Sequence, residues 1–209
     1  MSALQQPLGQ FLDELASSAP TPGGGGAAAV MGATGAALLS MVANLTIGKK
    51  GLEDVEAEMK DILIQSERLR SEMSAMIADD VEAFNCLMAS YKLPKETEEQ
   101  KTERSAAIQA ALKGATEAPL ACARAAAAVV RLSRRTAEIG NKNVISDAGV
   151  GVLAAQASLR SAALNVYINA PSLKDHEFAT GAVHELEALL AECGESSESV
   201  YALVKSRLG

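Results

Sequence analysis

The sequence contains no tryptophan, and only 3% of its residues are aromatic, so any core must be built from aliphatic and small side chains. It also lacks stretches of alternating apolar and polar residues. With β-branched residues scattered, that excludes a sheet-based fold. Basic residues are outnumbered: the net charge of −7 and a pI near 5.0 exclude a nucleic-acid-binding surface. Cysteine is scarce and odd in number. Cys86, Cys122 and Cys193 are far apart, forming neither a CxxC metal pair nor a disulfide framework, and a reducing cytoplasm fits them best. His176 and His184 have no third ligand near them in sequence, so no metal site is expected. The start, Met1–Gln5, has neither the basic residues nor the apolar block of a signal peptide.

The most informative scarcity is local. Between Glu14 and Lys49 there is no charged side chain, and the run opens with Thr21-Pro22-Gly23-Gly24-Gly25-Gly26. Glycines feeding a helix allow close approach of backbone or ligand, and a helix start offers unpaired N–H groups that favour anions. Ala27–Ile47 is long enough to cross a membrane, but nine of its residues are Ala or Gly and four are polar. That composition suits a helix buried against other helices, not a membrane span.

What remains is rich in Ala, Leu, Glu and Lys, with 48% hydrophobic residues over 209 positions. The pattern predicts one all-α domain over 1–209: a bundle of seven to nine helices around two buried Ala/Gly-rich ones. The expected helices are Leu4–Ala16, Gly25–Thr46 and Leu52–Tyr91, then one from a Thr97/Gln100 capping box to Ala115. Pro119 is expected to open another, ending at Gly140. Ala148–Ala170 follows, then a helix from Ser172/Asp175 to Gly194, and Ser197–Leu208. In the first buried helix, Gly24, Ala28, Gly32, Ala36, Ser40, Asn44 and Gly48 make a small-residue ridge for close packing.

Several side chains stand out chemically. Asp80 lies on the apolar stripe Val55, Met59, Ile62, Ser66, Leu69, Met73, Met76, either as a positioned carboxylate or at a boundary where the stripe drifts. Asp147, before an Ala/Gly/Val helix, reads as an N-cap or as an oriented anion for a cationic ligand. Asn141, Asn143 and Ser146 beside it exceed what one cap requires. Lys49 and Lys50 either neutralise a helix C-terminus or deliver a cation to a site. Asn44 and Asn165, inside apolar helices, need partners from a ligand or from another helix. Arg160 is either an anion clamp or half of an ion pair across a subunit interface. The glycines are not followed by Gly-Lys-Ser/Thr and follow no strand, so neither nucleotide-binding motif is present. No Ser elbow or Cys–His pairing appears either.

Five segments taken in order carry a resemblance: Pro20–Gly25, Met41–Lys50, Asp80–Phe84, Lys92–Lys95 and Gly140–Gly149. Together they resemble the cyclodeaminase/cyclohydrolase family acting on tetrahydrofolates, over roughly Leu4–Leu208. The resemblance implies an all-helical homodimer using no metal or cofactor beyond its folate substrate. At this length, without a formiminotransferase region, the expected activity is that of a methenyltetrahydrofolate cyclohydrolase. It implies Asp147 and Asp80 as carboxylates that orient water or stabilise the cation, with Lys49 or Lys50 as proton donor. Thr21, Pro22, Gly23, Gly24, Gly25, Asn44, Asn141, Asn143, Ser146 and Arg160 would line the substrate slot. A formiminotetrahydrofolate cyclodeaminase is the nearest alternative, and a non-catalytic helical folate-binding scaffold a remote one.

Overall fold

Six α-helices carry nearly all of residues 6–208, the part described in the computed structural model; no strand occurs among them. The helices are α1 (Leu8–Leu15), α2 (Gly24–Asn44), α3 (Glu56–Tyr91), α4 (Glu98–Ile139), α5 (Ile145–Asn169) and α6 (His176–Arg207). Three single 3₁₀ turns, Glu53–Val55, Lys142–Val144 and Ala170–Ser172, lead into or out of them. The all-α class is as expected. The count is lower because two expected breaks are absent, and Leu4, the expected start of the first helix, lies outside the described residues.

The first missing break is at Pro119, which sits inside α4. Proline deprives the carbonyl four residues earlier of its helical partner. That carbonyl belongs to Ala115, and it accepts a hydrogen bond from Asn169 Nδ2 at 2.7 Å. Its partner restored from α5, the helix continues for 42 residues behind its capping box of Thr97 and Gln100. The second is at Gly194, which lies within α6 between buried Cys193 and Ser197. Burial of the flanking turns outweighs the cost of about 1 kcal/mol for one helical glycine.

Helices α2 and α5 run antiparallel at the centre. Gly35 packs so closely on Gly151 that a methyl group there would press on the Gly151 carbonyl at 2.8 Å. One end is marked by Ser158, whose hydroxyl donates to the Ala28 carbonyl at 2.7 Å, the other by Asn141 against Leu45 and Thr46. Flanking them are α3, beside α2, and α6, beside α5, while α4 crosses behind all four. Side chains from all six helices share the principal core, with Leu39, Met73, Leu120, Leu159 and Leu186 fully buried. Arginines of α4 tie it to its neighbours: Arg124 pairs with Glu185 at 2.6 Å, Arg131 with Glu192 at 2.6 Å and Arg135 with Glu58 at 2.5 Å. These pairs are largely open to water, where such contacts typically contribute under about 1 kcal/mol each.

The central helices are buried on one side only. In α2, Ala28, Gly32, Ala36 and Ser40 of the expected ridge are buried, but Gly24, Asn44 and Gly48 are exposed. In α5, Val150, Leu153, Leu164 and Ile168 lie open along one face. The layer formed by these two helices is therefore covered behind by α4 and bare in front.

Candidate functional site

At its glycine end α2 begins with backbone alone. Its first N–H groups have no helical partner, and Gly23 in the cap position supplies no side chain. Asp80 fills that role from α3: the Gly26 N–H donates to its Oδ2 at 2.9 Å. A methyl group on Gly25 would overlap the same carboxylate, so glycine there is what admits Asp80. Both sequence readings of Asp80 contribute. The buried stripe of α3 keeps its expected course to Met73 and then drifts to Ile77, leaving Asp80 half-buried at its edge. Burial raises its pKa above the ordinary 3.8, and the Gly26 hydrogen bond opposes part of that rise. Its surroundings are Met76, Ala118, Pro119, Cys122 and Ala162, around a space of about 10 Å³ that is too small for a ligand. Burial also pushes the Cys122 thiol up to about 11, so Cys122 is no nucleophile.

Next to this cluster is a cavity of about 690 Å³ between α1, the Thr21–Pro22 turn and α3. Gln10, Glu14, Glu82, Asn85 and Cys86 provide its polar edge. Sequence reasoning missed these residues, because nothing in their spacing pairs an eight-residue helix with the middle of a 36-residue one.

The lysine end of α2 is built from side chains. Gly48 and Gly51, both at positive φ, turn the chain sharply after the helix. That turn brings Lys49 to Asn141, whose Oδ1 accepts from Lys49 Nζ at 2.7 Å and from the Asn143 N–H at 3.0 Å. The Nδ2 of Asn141 donates to the Leu45 carbonyl at 2.8 Å, and its backbone N–H donates to Thr46 Oγ1 at 2.9 Å. Asn141 is buried and positions Lys49, and the second N–H of its Nδ2 has no hydrogen-bond acceptor among the described residues, which leaves it for a ligand in the cleft that Asn141 lines. Around it opens a polar cleft of about 630 Å³, lined by Lys49, Lys50, Lys142, Asn143, Glu138 and Arg207 among others.

Asp147 differs from its sequence reading. The helix starts at Ile145, so Asp147 lies in the first turn and Val144 is the cap residue. Its carboxylate makes no hydrogen bond among the described residues. It is half-buried on the shoulder of α5 that faces α2, and the helix start favours its charge. The Asn44 expectation is also corrected: that amide is exposed, because the ridge turns outward in the last turn of α2. Asn165 is half-buried, donating to the Ser161 carbonyl at 3.1 Å beside Gly24. Ser146, Lys50 and Arg160 are exposed.

The structure thus sorts the predicted residues into two groups. Thr21–Gly25, Asp80 and Asn165 share the glycine end; Lys49, Lys50, Asn141 and Asn143 share the lysine end, with Ser146 and Asp147 on the adjoining first turn of α5. The 21 residues of α2 hold these ends about 30 Å apart, at ~1.5 Å per residue.

Residues 7–188 match the formiminotransferase-cyclodeaminase family. The chain belongs to that family. It is 61% identical to the methenyltetrahydrofolate cyclohydrolase of Methylorubrum extorquens over 198 residues, covering 95% of each chain. It is 33% identical to the formimidoyltransferase-cyclodeaminase of Sus scrofa, covering 99% of this chain but only 38% of that longer protein. Its fold superposes on the crystal structure of a formiminotetrahydrofolate cyclodeaminase from Thermotoga maritima with a TM-score of 0.88, at 33% identity and covering 98% of each chain.

Proposed function

We propose that this protein is a methenyltetrahydrofolate cyclohydrolase, converting 5,10-methenyltetrahydrofolate and water to 10-formyltetrahydrofolate. The observation that carries this reading is the 61% identity, over nearly the full length of both chains, to a protein of that name. Identity falls to 29–33% against the longer bifunctional enzymes and 33% against the bacterial cyclodeaminase, which makes ammonia-releasing cyclodeamination the second reading.

The chemistry suits the side chains at hand. The substrate carries a delocalised positive charge over N5, the bridging carbon and N10. Water adds to that carbon and loses a proton to give a hydroxyl intermediate; the hydroxyl then gives up its proton as the C=O forms, the N5–carbon bond breaks and N5 takes up a proton, for a net release of one proton. Asp147, in the first turn of α5 and with no hydrogen bond among the described residues, stabilises the cation and orients the water. Lys49, held by Asn141, delivers the proton to N5, with Lys50 next to it in the cleft. A well-placed proton-transfer group contributes about 10²- to 10⁴-fold. The Thr21–Gly25 turn shapes the substrate slot at the cavity of about 690 Å³, and the Asp80 carboxylate next to that cavity stabilises the charged ring system. In this reading the reaction needs no metal and no cofactor beyond the folate, and the enzyme works in the cytoplasm as a homodimer. Among the described residues one helix, Gly24–Asn44, is long and apolar enough to span a membrane, but it packs within the bundle.

Two assays on chelator-treated protein test this together: loss of methenyl absorbance, and ammonia release from formiminotetrahydrofolate. Rapid chromophore loss with little ammonia supports the cyclohydrolase. Ammonia release outpacing methenyl hydrolysis favours the second reading, and activity abolished by chelation contradicts a mechanism of side chains alone.

A further inference from the structure

Helix α3 is longer than the slot beside it. Asp80 stands level with the first turn of α2, and residues 81–91 of α3 continue past it. That overhang ends in Lys92-Leu93-Pro94-Lys95, which nothing in the site so far uses. Ala78, Glu82, Asn85 and Cys86 face the cavity of about 690 Å³. Residues three or four apart share a helix face, so the same strip continues through Ala89 to Lys92, which keeps helical backbone geometry as the cap of α3. Asn85, Cys86, Ala89 and Lys92 are all exposed. The strip therefore leaves the cavity as an open track, uncharged between Glu82 and Lys92, with a small residue in its course.

The ammonium groups of Lys92 and Lys95 have no ion pair among the described residues. Glu96 and Glu98, the acids that follow, are engaged elsewhere. Glu96 accepts from the Lys95 backbone N–H at 3.0 Å, and Glu98 pairs with Lys101 at 2.7 Å.

We infer that Lys92, with Lys95 behind it, binds the carboxylates of the substrate's glutamate tail and so fixes the direction in which the folate lies. This assignment rests on the reading of the Thr21–Gly25 cavity as the substrate slot and deepens it. The ring system sits beside Asp80, the aminobenzoyl group passes over Asn85 and Ala89, and the carboxylates end at Lys92. The lengths agree. Asp80 and Lys92, twelve residues apart, are ~18 Å from each other along the helix axis at ~1.5 Å per residue. Helical side chains lean toward the N-terminus, so the Lys92 ammonium reaches back toward the cavity. The benzoyl group, its amide and the glutamate carbons span on the order of 10–15 Å at ordinary bond lengths, which closes the remaining gap. The charges agree as well. The substrate is cationic at its ring and dianionic at its tail, and an anion at Asp80 with a cation at Lys92 matches that polarity in one direction only. The protein's net charge of −7 repels the tail elsewhere, which makes a local cation the discriminating contact.

Truncating the substrate provides the test. Against 5,10-methenyltetrahydrofolate, Lys92→Met should raise KM about tenfold, the loss expected for a charge-assisted hydrogen bond, with kcat unchanged. Against 5,10-methenyltetrahydropteroate, which has the same rings but no glutamate, parent and variant should share one KM. Lys92→Arg, which keeps the charge, should restore the parent's discrimination between the two substrates. An unchanged KM for the folate, or an equal rise with both substrates, would overturn the proposal. Loss of discrimination in Lys142→Met instead would also overturn it, by moving the tail to the lysine end. Because Lys92 is exposed, helical circular dichroism should be unchanged in the variants. Calorimetric binding of tetrahydrofolate and tetrahydropteroate gives an arm independent of turnover: the parent should prefer tetrahydrofolate, and Lys92→Met should not. An inactive parent would sink the cyclohydrolase reading, while that binding ratio would still decide where the tail lies.

Discussion

The two ends of α2 meet the same demand with opposite means. At the glycine end the helix offers backbone N–H groups, side chains are removed, and a carboxylate from another helix moves in against bare backbone. At the lysine end the helix offers carbonyls, and a buried asparagine accepts from a lysine while donating to one of those carbonyls. One end depends on what is missing from its residues, the other on what is present. The first should therefore be sensitive to any added atom, the second to removal of specific groups.

The largest expected effect lies at the lysine end. Lys49→Met removes the proposed proton donor, and kcat should fall by about 10²-fold or more with KM changed far less. Equal loss in Lys50→Met and none in Lys49→Met would transfer the role to the neighbour. Asn141→Ala should act mainly through stability. It unpairs the Leu45 carbonyl, the Lys49 ammonium and the Asn143 N–H in a buried position, costing about 2–3 kcal/mol. For a domain of this size the thermal midpoint should drop by about 5–10 °C, and an unchanged midpoint would show that the asparagine is not structural.

At the glycine end, adding one methyl should suffice. Gly25→Ala collides with Asp80 and should cost about 1–3 kcal/mol, whereas Gly24→Ala, whose added carbon meets only Asn165 at 4.0 Å, should cost little by contact. Equal melting shifts for the two would remove the steric account. The smallest effect concerns pH. Because burial raises the folded-state pKa of Asp80, the folded protein holds a proton that the unfolded chain has already released. Its contribution is thus most favourable at low pH and declines as pH rises from about 3.8 through the raised value. Asp80→Asn should abolish that slope, making stability between pH 4 and 7 less pH-dependent than in the parent. A steeper decline in the variant would reverse the sign of the argument.

The contrast also explains what could be read from sequence. Helix class, the Thr97 capping box and the buried uncharged helices follow from periodicity and composition, which are local. The continuity of α4 through Pro119 depends on Asn169, fifty residues away, supplying a hydrogen bond to Ala115. No local signal announces that. Of the two readings of Asp147 the cap fails: Ser-Asp before a small-residue helix looks like one, whereas the Lys142–Val144 turn starts the helix at Ile145, three residues before the expected Ala148. The separation of Asp80 from Lys49 is a matter of antiparallel packing. Motif order alone placed both in one slot, and only the length of α2 shows that a single chain keeps them apart.

The account stands most directly on Asp147, a carboxylate with no hydrogen bond among the described residues, in the first turn of the helix that follows Asn141. Steady-state turnover of Asp147→Asn, measured by loss of methenyl absorbance on protein with unchanged helical content, should fall by about 10²-fold or more. Turnover within twofold of the parent would contradict it.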